Sequence, residues 1–149
     1  MAESRTVSRG STAERTGAVM GTAVNATFAV GSWDESPFDE TPGLPKLTRA
    51  TVTKQFSGDI NGQSATEWLM AYAADGSATF VGLERIRGTV GGRAGSCVIR
   101  HVGTFEDGAA RAALTVVPRS GTDELRSIAG PGTFVADPGG TVTLELTFD

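Results

Sequence analysis

The stretch from Ala65 to Val117, ATEWLMAYAADGSATFVGLERIRGTVGGRAGSCVIRHVGTFEDGAARAALTVV, decides the fold. Three turn pairs within it, Asp75-Gly76, Gly91-Gly92 and Asp107-Gly108, recur 16 residues apart and separate four apolar runs of strand length. Asp-Gly and Gly-Gly supply the positive φ angles that tight hairpin loops need, so the stretch reads as an antiparallel meander. Counting outward from two-residue loops, Ala74 faces Ser77 and Val90 faces Arg93. Glu67 then lies opposite Glu84, Leu69 opposite Gly82, and Gly82 opposite His101, so that two carboxylates and the single histidine share one face. A type I turn with a bulge at Gly76 would instead set Glu67 opposite Leu83 and break the carboxylate pair.

The two faces of this register differ in chemistry. The face of Glu67 continues through Leu69, Ala71, Phe80, Gly82, Ile86, Cys97, Ile99, Gly103, Phe105, Leu114 and Val116 and holds no Lys or Arg. The other carries Arg85, Arg87, Arg100 and Arg111 with four Thr, interleaved with Trp68, Met70, Val81 and Leu83, and reads as the outer face. Phe80 lies across from Gly103, an aromatic ring covering a strand position that has no side chain.

With 149 residues, 39% hydrophobic and 20% charged, the chain is one domain large enough to bury its own core. One Cys excludes an internal disulfide, and one His beside it leaves too few soft ligands for structural zinc; no metal or cofactor is expected. A formal net charge of −4 argues against nucleic acid and anionic membrane as partners. With no long apolar run and no secretory signal at the start, the expected location is cytoplasmic.

Along the chain, residues 1–21 are rich in Ser, Thr, Arg and Gly without periodicity and read as a disordered tail, leaving 22–149 as the folded domain. Thr22 to Ser32 alternates as a strand with Val24, Ala26, Phe28 and Val30 on one face. The acidic run Trp33 to Glu40 follows and reads as a solvated connection whose two aromatics, Trp33 and Phe38, plug a barrel end. Lys46 to Phe56 is the next strand. A turn counted from Asn61-Gly62 places Lys54 inward, diagonal to Glu67 as an ion-pair partner. After the meander, Pro118 to Gly130 is a polar connection with room for one helical turn, and Thr133–Ala136 and Thr141–Phe148 complete eight strands. Val142, Leu144, Leu146 and Phe148 form the buried side of the last.

Eight antiparallel up-and-down strands close most simply into a β-barrel, of lipocalin-like size; a two-sheet sandwich is the alternative. The strings Trp33-Asp34-Glu35, Leu47-Thr48-Arg49-Ala50, Phe56-Ser57-Gly58-Asp59-Ile60, Leu69-Met70-Ala71-Tyr72, Asp75-Gly76-Ser77-Ala78, Phe80-Val81-Gly82-Leu83-Glu84-Arg85 and Gly103-Thr104-Phe105 resemble an uncharacterised bacterial family, a domain of unknown function whose members adopt an allene-oxide-cyclase-like barrel. The resemblance covers Thr22 to the C-terminus. It implies the barrel and no reaction, and no functional residue is carried over from it.

The candidate catalytic residues are therefore Glu67, Glu84 and His101. Leu69, Phe80, Gly82, Ile99, Phe105, Leu114, Trp33 and Lys54 are the candidate substrate-binding wall. Two carboxyls facing each other in an apolar lumen cannot both ionise cheaply, so one is expected to hold its proton and act as an acid beside a carboxylate, with Glu84→Gln leaving stability unchanged or raised. Two functions fit: a cofactor-independent cyclase or isomerase working by acid–base chemistry on an apolar molecule, or a non-catalytic carrier or sensor of a small hydrophobic ligand. A lumen filled solid by side chains is the structural alternative. The apolar row Thr66, Trp68, Met70 and Tyr72 on the outer face points to a homodimer.

Overall fold

The computed structural model describes residues 21–137 and 139–148. The expected disordered tail lies outside them, apart from Gly21. Eight antiparallel strands, β1 (Thr22–Asp39), β2 (Lys46–Gly58), β3 (Ile60–Tyr72), β4 (Ala78–Val90), β5 (Arg93–Glu106), β6 (Ala109–Val116), β7 (Pro131–Asp137) and β8 (Gly139–Leu146), pair in chain order. β8 returns to β1 and closes the barrel, so the sandwich is excluded. Among the described residues no helix is long and apolar enough to cross a membrane.

Hairpin chemistry sets the register. Gly91 and Gly92 both adopt positive φ, as do Asp107 and Gly108, which is the two-residue geometry counted from the sequence. Val90 accordingly pairs with Arg93, Gly82 with His101 and Phe80 with Gly103. At Asp75-Gly76 only the glycine is left-handed. The Asp75 carboxylate accepts hydrogen bonds from the Ser77 amide at 3.0 Å and its hydroxyl at 2.6 Å, and the Ala73 amide donates to the Ser77 carbonyl at 2.8 Å. That is a type I turn closed by a glycine bulge, and Tyr72, not Ala74, begins the pairing, opposite Ala78.

This one-residue slip turns β3 over. Glu67 pairs with Leu83 and Thr66 with Glu84, so the facing carboxylates expected from the sequence do not exist. Trp68, Met70 and Thr66, read as outer-face residues, are buried in the lumen, whereas Leu69 stands outside. The face on which a homodimer was expected is thus the inside of the barrel. The β2–β3 turn also differs: it falls at Gly58–Asp59 and pairs Lys54 with Ser64. Lys54 keeps its inward direction because alternation along β2 is unchanged.

β1 does not stop at Ser32. It continues to Asp39 through register shifts between Val30 and Ser32 and between Pro37 and Asp39, and beyond Phe28 it pairs with β2 alone. The acidic run is therefore a projecting strand at the barrel mouth. Trp33 leans over the lumen, its ring 5.4 Å from that of Trp68, while Phe38 lies exposed and plugs nothing. The opposite end is sealed by the connection from β6 to β7, which holds a short 3-10 turn (Asp123–Leu125) and buries Leu125 and Ile128.

Side chains fill the lumen. Aromatic rings run through it from the mouth: Trp33 on Trp68, Trp68 against Phe80 and Phe134, and Phe134 against Phe80 and Phe28, with centroid separations of 5.2 to 6.2 Å. Gly103 makes one of these placements possible, since a Cβ there would meet the tip of the Phe80 ring and the Arg111 carbonyl. Gly103→Ala is expected to destabilise the barrel by about 1–3 kcal/mol through overpacking. Urea denaturation reads this out, and an unchanged midpoint would show that both the ring and the β6 backbone at Arg111 have room to shift.

Candidate functional site

The polar residues that survive inside this apolar lumen come from four consecutive strands. Lys54 on β2, Ser64 and Thr66 on β3, Glu84 on β4 and His101 on β5 all point inward. The cross-strand pairs Lys54–Ser64 and Thr66–Glu84 set them side by side, and His101 sits diagonal to Glu84 because Gly82 is its direct partner. Gly82 has no side chain, and the Trp68 indole occupies the space that a Cβ would take.

The Glu84 carboxylate is the hub. Ser64 Oγ donates to Oε2 at 2.5 Å, His101 Nε2 lies 2.9 Å from Oε1, and Lys54 Nζ is 3.4 Å from Oε2. Trp68 Nε1 can only donate, and its nearest acceptor is His101 Nδ1 at 3.4 Å. That contact assigns the histidine tautomer: Nδ1 accepts, so Nε2 carries the hydrogen and donates to Glu84. Side-chain exposure is 1% for Lys54, 4% for Glu84 and 0% for His101, so water screens none of these charges.

Electrostatics follow from this arrangement. Burial on its own would push Glu84 up, but the Lys54 charge and the hydrogen bonds from His101 and Ser64 outweigh it and hold the carboxyl down at about 2. Burial pulls His101 below its ordinary value despite the Glu84 bond, keeping the ring neutral. Burial likewise lowers Lys54, opposed by Glu84. With three donors on the carboxylate, the neutral-pH form is an ammonium–carboxylate pair. Around the ammonium stand the rings of Phe28 at 4.4 Å, Phe134 at 4.9 Å and Trp68 at 5.2 Å, an aromatic cage suited to a cation. Cys97 is a buried core residue whose thiol burial raises to about 11, Glu84 adding to the effect.

Two features are left open. Lys54 has three N–H donors and one side-chain acceptor, and the Thr66 hydroxyl is buried with no partner. Lys54 and Glu84 also border a cavity of about 10 Å³, closed by Phe28, Phe56, Ile99, Leu114 and Phe134 among others. That is the threshold for one water molecule.

Of the residues singled out from sequence, Glu84, His101, Lys54, Phe80, Gly82, Ile99 and Leu114 come together here. Glu67 does not. It lies on the outer wall with its side chain 44% exposed and takes the Arg49 Nε hydrogen at 2.6 Å; hydrogen bonds from Thr51 and Arg49 lower its carboxyl. Leu69 shares that outer wall, and Phe105 is exposed at the mouth. Lys54 pairs with Glu84 and not with Glu67. Ser64, Thr66, Trp68, Phe28 and Phe134 belong to the site and were not chosen from sequence. The signal for β3 was Ser77, two residues past Asp75, where an Asx turn is the alternative to a two-residue loop. A second polar knot lies at the mouth: Glu35 accepts from Trp33 Nε1 at 3.0 Å, Thr48 Oγ1 at 2.7 Å and Tyr72 OH at 2.6 Å. Burial and Glu35 push the Tyr72 hydroxyl up to about 12. Among the described residues no cluster of three or more His, Cys, Asp or Glu is placed to hold a metal.

Removing one partner of a buried ion pair strands the other. Glu84→Gln leaves Lys54 without a counter-charge and is expected to cost about 3–5 kcal/mol, the reverse of the outcome that facing carboxylates would give, whereas Lys54→Met with Glu84→Gln recovers most of the loss. Denaturant melts of the single and double variants measure this, and a neutral Glu84→Gln would mean that the lysine sheds its proton instead. The pH dependence has a definite sign. His101 and Glu84 both have folded values below their unfolded ones, so their stabilisation is complete above those unfolded values, near ~6.5 and ~4.3, and is lost as pH falls below each. Unfolding free energy should decline from pH 7 to pH 5 and fall further below pH 4, and replacing His101 by Asn should flatten the first decline; a wild-type profile level down to pH 5 would contradict the neutral buried histidine.

Comparison with known proteins adds the family and stops there. A family model described as "Protein of unknown function (DUF3224)" matches residues 24–148. The crystal structure of a protein of unknown function from the same family, from Shewanella oneidensis MR-1, is 30% identical, with a TM-score of 0.71 over 87% of this chain and 98% of that one. Among curated proteins none matches. With almost the whole barrel covered by the family model, the chain belongs to the DUF3224 family.

Proposed function

We propose that the barrel binds a small, mainly apolar molecule bearing one hydrogen-bond-accepting oxygen, which the Lys54 ammonium receives in the lumen. The observation that carries this reading is the incomplete set of partners at the lumen's centre. Lys54 has donors to spare on a cavity walled by aromatic and aliphatic side chains, and Thr66, the cross-strand partner of Glu84, has an unpartnered buried hydroxyl. A cation caged by rings and tied to one carboxylate is a costly way to fill space, since apolar side chains of similar volume are as stable or more so. Entry is from the mouth. There the inward-pointing Val30 and Trp33 are half-exposed, and β1 beyond Phe28 lacks its second neighbour. The cavity of about 10 Å³ must grow, by an outward swing of Phe28, which lines it, once Trp33 has left its place over Trp68 at the mouth.

Between the two functions, the carrier or sensor is the better supported. A cyclase or isomerase built on a protonated carboxyl needs an acid of raised pKa, and Glu84 is held as the anion. The group left for proton donation to a bound oxygen is Lys54, with Glu84 behind it to return the proton, and an isomerase would have to run on that pair. The family supports neither function over the other. A reducing, cytoplasmic setting suits a chain whose one cysteine is a buried thiol.

Trp68 lies beside Lys54 and His101, so its fluorescence reports on the lumen. Titration with a panel of small cyclic ketones and lactones, paired with native mass spectrometry of the protein as purified, is expected to find a ligand that shifts Trp68 emission. The Lys54→Met/Glu84→Gln double variant should bind it at least about tenfold more weakly, the loss expected for one charge-assisted hydrogen bond. Equal binding by the double variant, or no bound mass and no emission change across the panel, would overturn the proposal.

A further inference from the structure

The slip that carries Trp68 inward leaves other apolar side chains outside. Leu69 on β3, Val81 and Leu83 on β4, and Val102 on β5 are each about half exposed. Register makes them one patch: Leu69 pairs with Val81, Val81 with Val102, and Leu83 is the next outward residue along β4. At the mouth side the exposed Phe38 extends the patch, sharing a groove of about 200 Å³ with Leu47, Leu69 and Val81. A continuous apolar area of this kind on a sheet face marks an interaction surface.

Charge is arranged along the strands on either side of the patch. Towards the mouth lie Asp39, Glu40, Asp75, Glu106 and Asp107, tempered by Lys46 and Arg111; away from it the exposed Arg85, Arg87 and Arg100 follow on β4 and β5. The Arg49–Glu67 pair at the centre neutralises itself. The face therefore reads acid, apolar, base from one end to the other. A two-fold axis through the Leu69–Val81–Val102 row reverses that order on a second copy, laying acid on base at both ends and apolar on apolar between them. We infer that this outer face of β3, β4 and β5 docks a second copy of the same chain, strands antiparallel, in an isologous dimer. An anionic lipid or nucleic-acid surface would meet the arginines and be repelled by the acidic end, so self-association is the partner that satisfies both. This inference stands apart from the lumen.

Light scattering on the full chain tests it. The wild type is expected to be dimeric at tens of micromolar. Arg85→Glu/Arg87→Glu should be monomeric because acid then faces acid, and Glu40→Lys/Glu106→Lys should be monomeric because base faces base. An equimolar mixture of the two should regain the dimer mass, since every facing pair is again opposite in sign. All four positions are exposed, so thermal midpoints should stay close to wild type apart from the dimer's contribution. Val81→Ser, which trims the row without altering charge, should weaken association at any salt concentration. A monomeric wild type, charge variants that stay dimeric, or a mixture that stays monomeric would each overturn the proposal, as would a monomer that floats with anionic vesicles.

Discussion

A carboxylate enclosed by a closed barrel of aromatic and aliphatic side chains must be matched or it will not stay charged. Glu84 is matched by Lys54, Ser64 and His101, one donor from each of three other strands. Apolar packing alone is a loose guide to register, because any inward apolar residue serves nearly as well as the next of its size. A charge with three fixed donors is not loose. Slipping β2, β3 or β5 by one residue would turn its donor outward, so one interaction ties the register of four strands at once.

The same dependence explains what could and could not be read from the sequence. Gly91-Gly92 and Asp107-Gly108 put two left-handed residues in each loop, and the register of β4, β5 and β6 follows by counting; Glu84, His101, Ile99 and Leu114 were therefore legible as neighbours. Asp75-Gly76 has the same composition and a different geometry, because the Asp75 carboxylate is used to cap Ser77. The difference is one residue, and its consequence is the whole of β3: Glu67 outside with Arg49, Trp68 inside against His101. Lys54 came out facing inward from a miscounted turn, since parity on its own strand does not depend on the hairpin. The continuation of β1 to Asp39 was hidden by Pro37 and a run of acids, features that suit a projecting strand with only one neighbour.

Glycine positions connect this register to the interior. Gly82 is the direct partner of both Trp68 and His101, and the absence of its side chain lets the indole lie flat enough to reach the imidazole. The indole N–H then fixes which histidine nitrogen faces Glu84. A residue with no chemistry of its own thereby sets the protonation pattern of the neighbouring strand.

The two barrel ends differ in what an opening would disturb. At one end Leu125 and Ile128 are held by the backbone of the β6–β7 connection, with Thr122 bonded to Ser96 through both main chain and side chain. Opening there would break main-chain hydrogen bonds. At the mouth the cover is a single indole on a strand paired along one edge, and the hydrogen bond it would give up is the one from Trp33 to Glu35. Glu35 keeps Thr48 and Tyr72 as donors if Trp33 leaves, so the carboxylate is not stranded when the ring swings. Of the two ends, the mouth is therefore the one whose cover is not tied down by main-chain hydrogen bonds, and the ring that covers it lies on Trp68, which itself lies against Lys54 and His101.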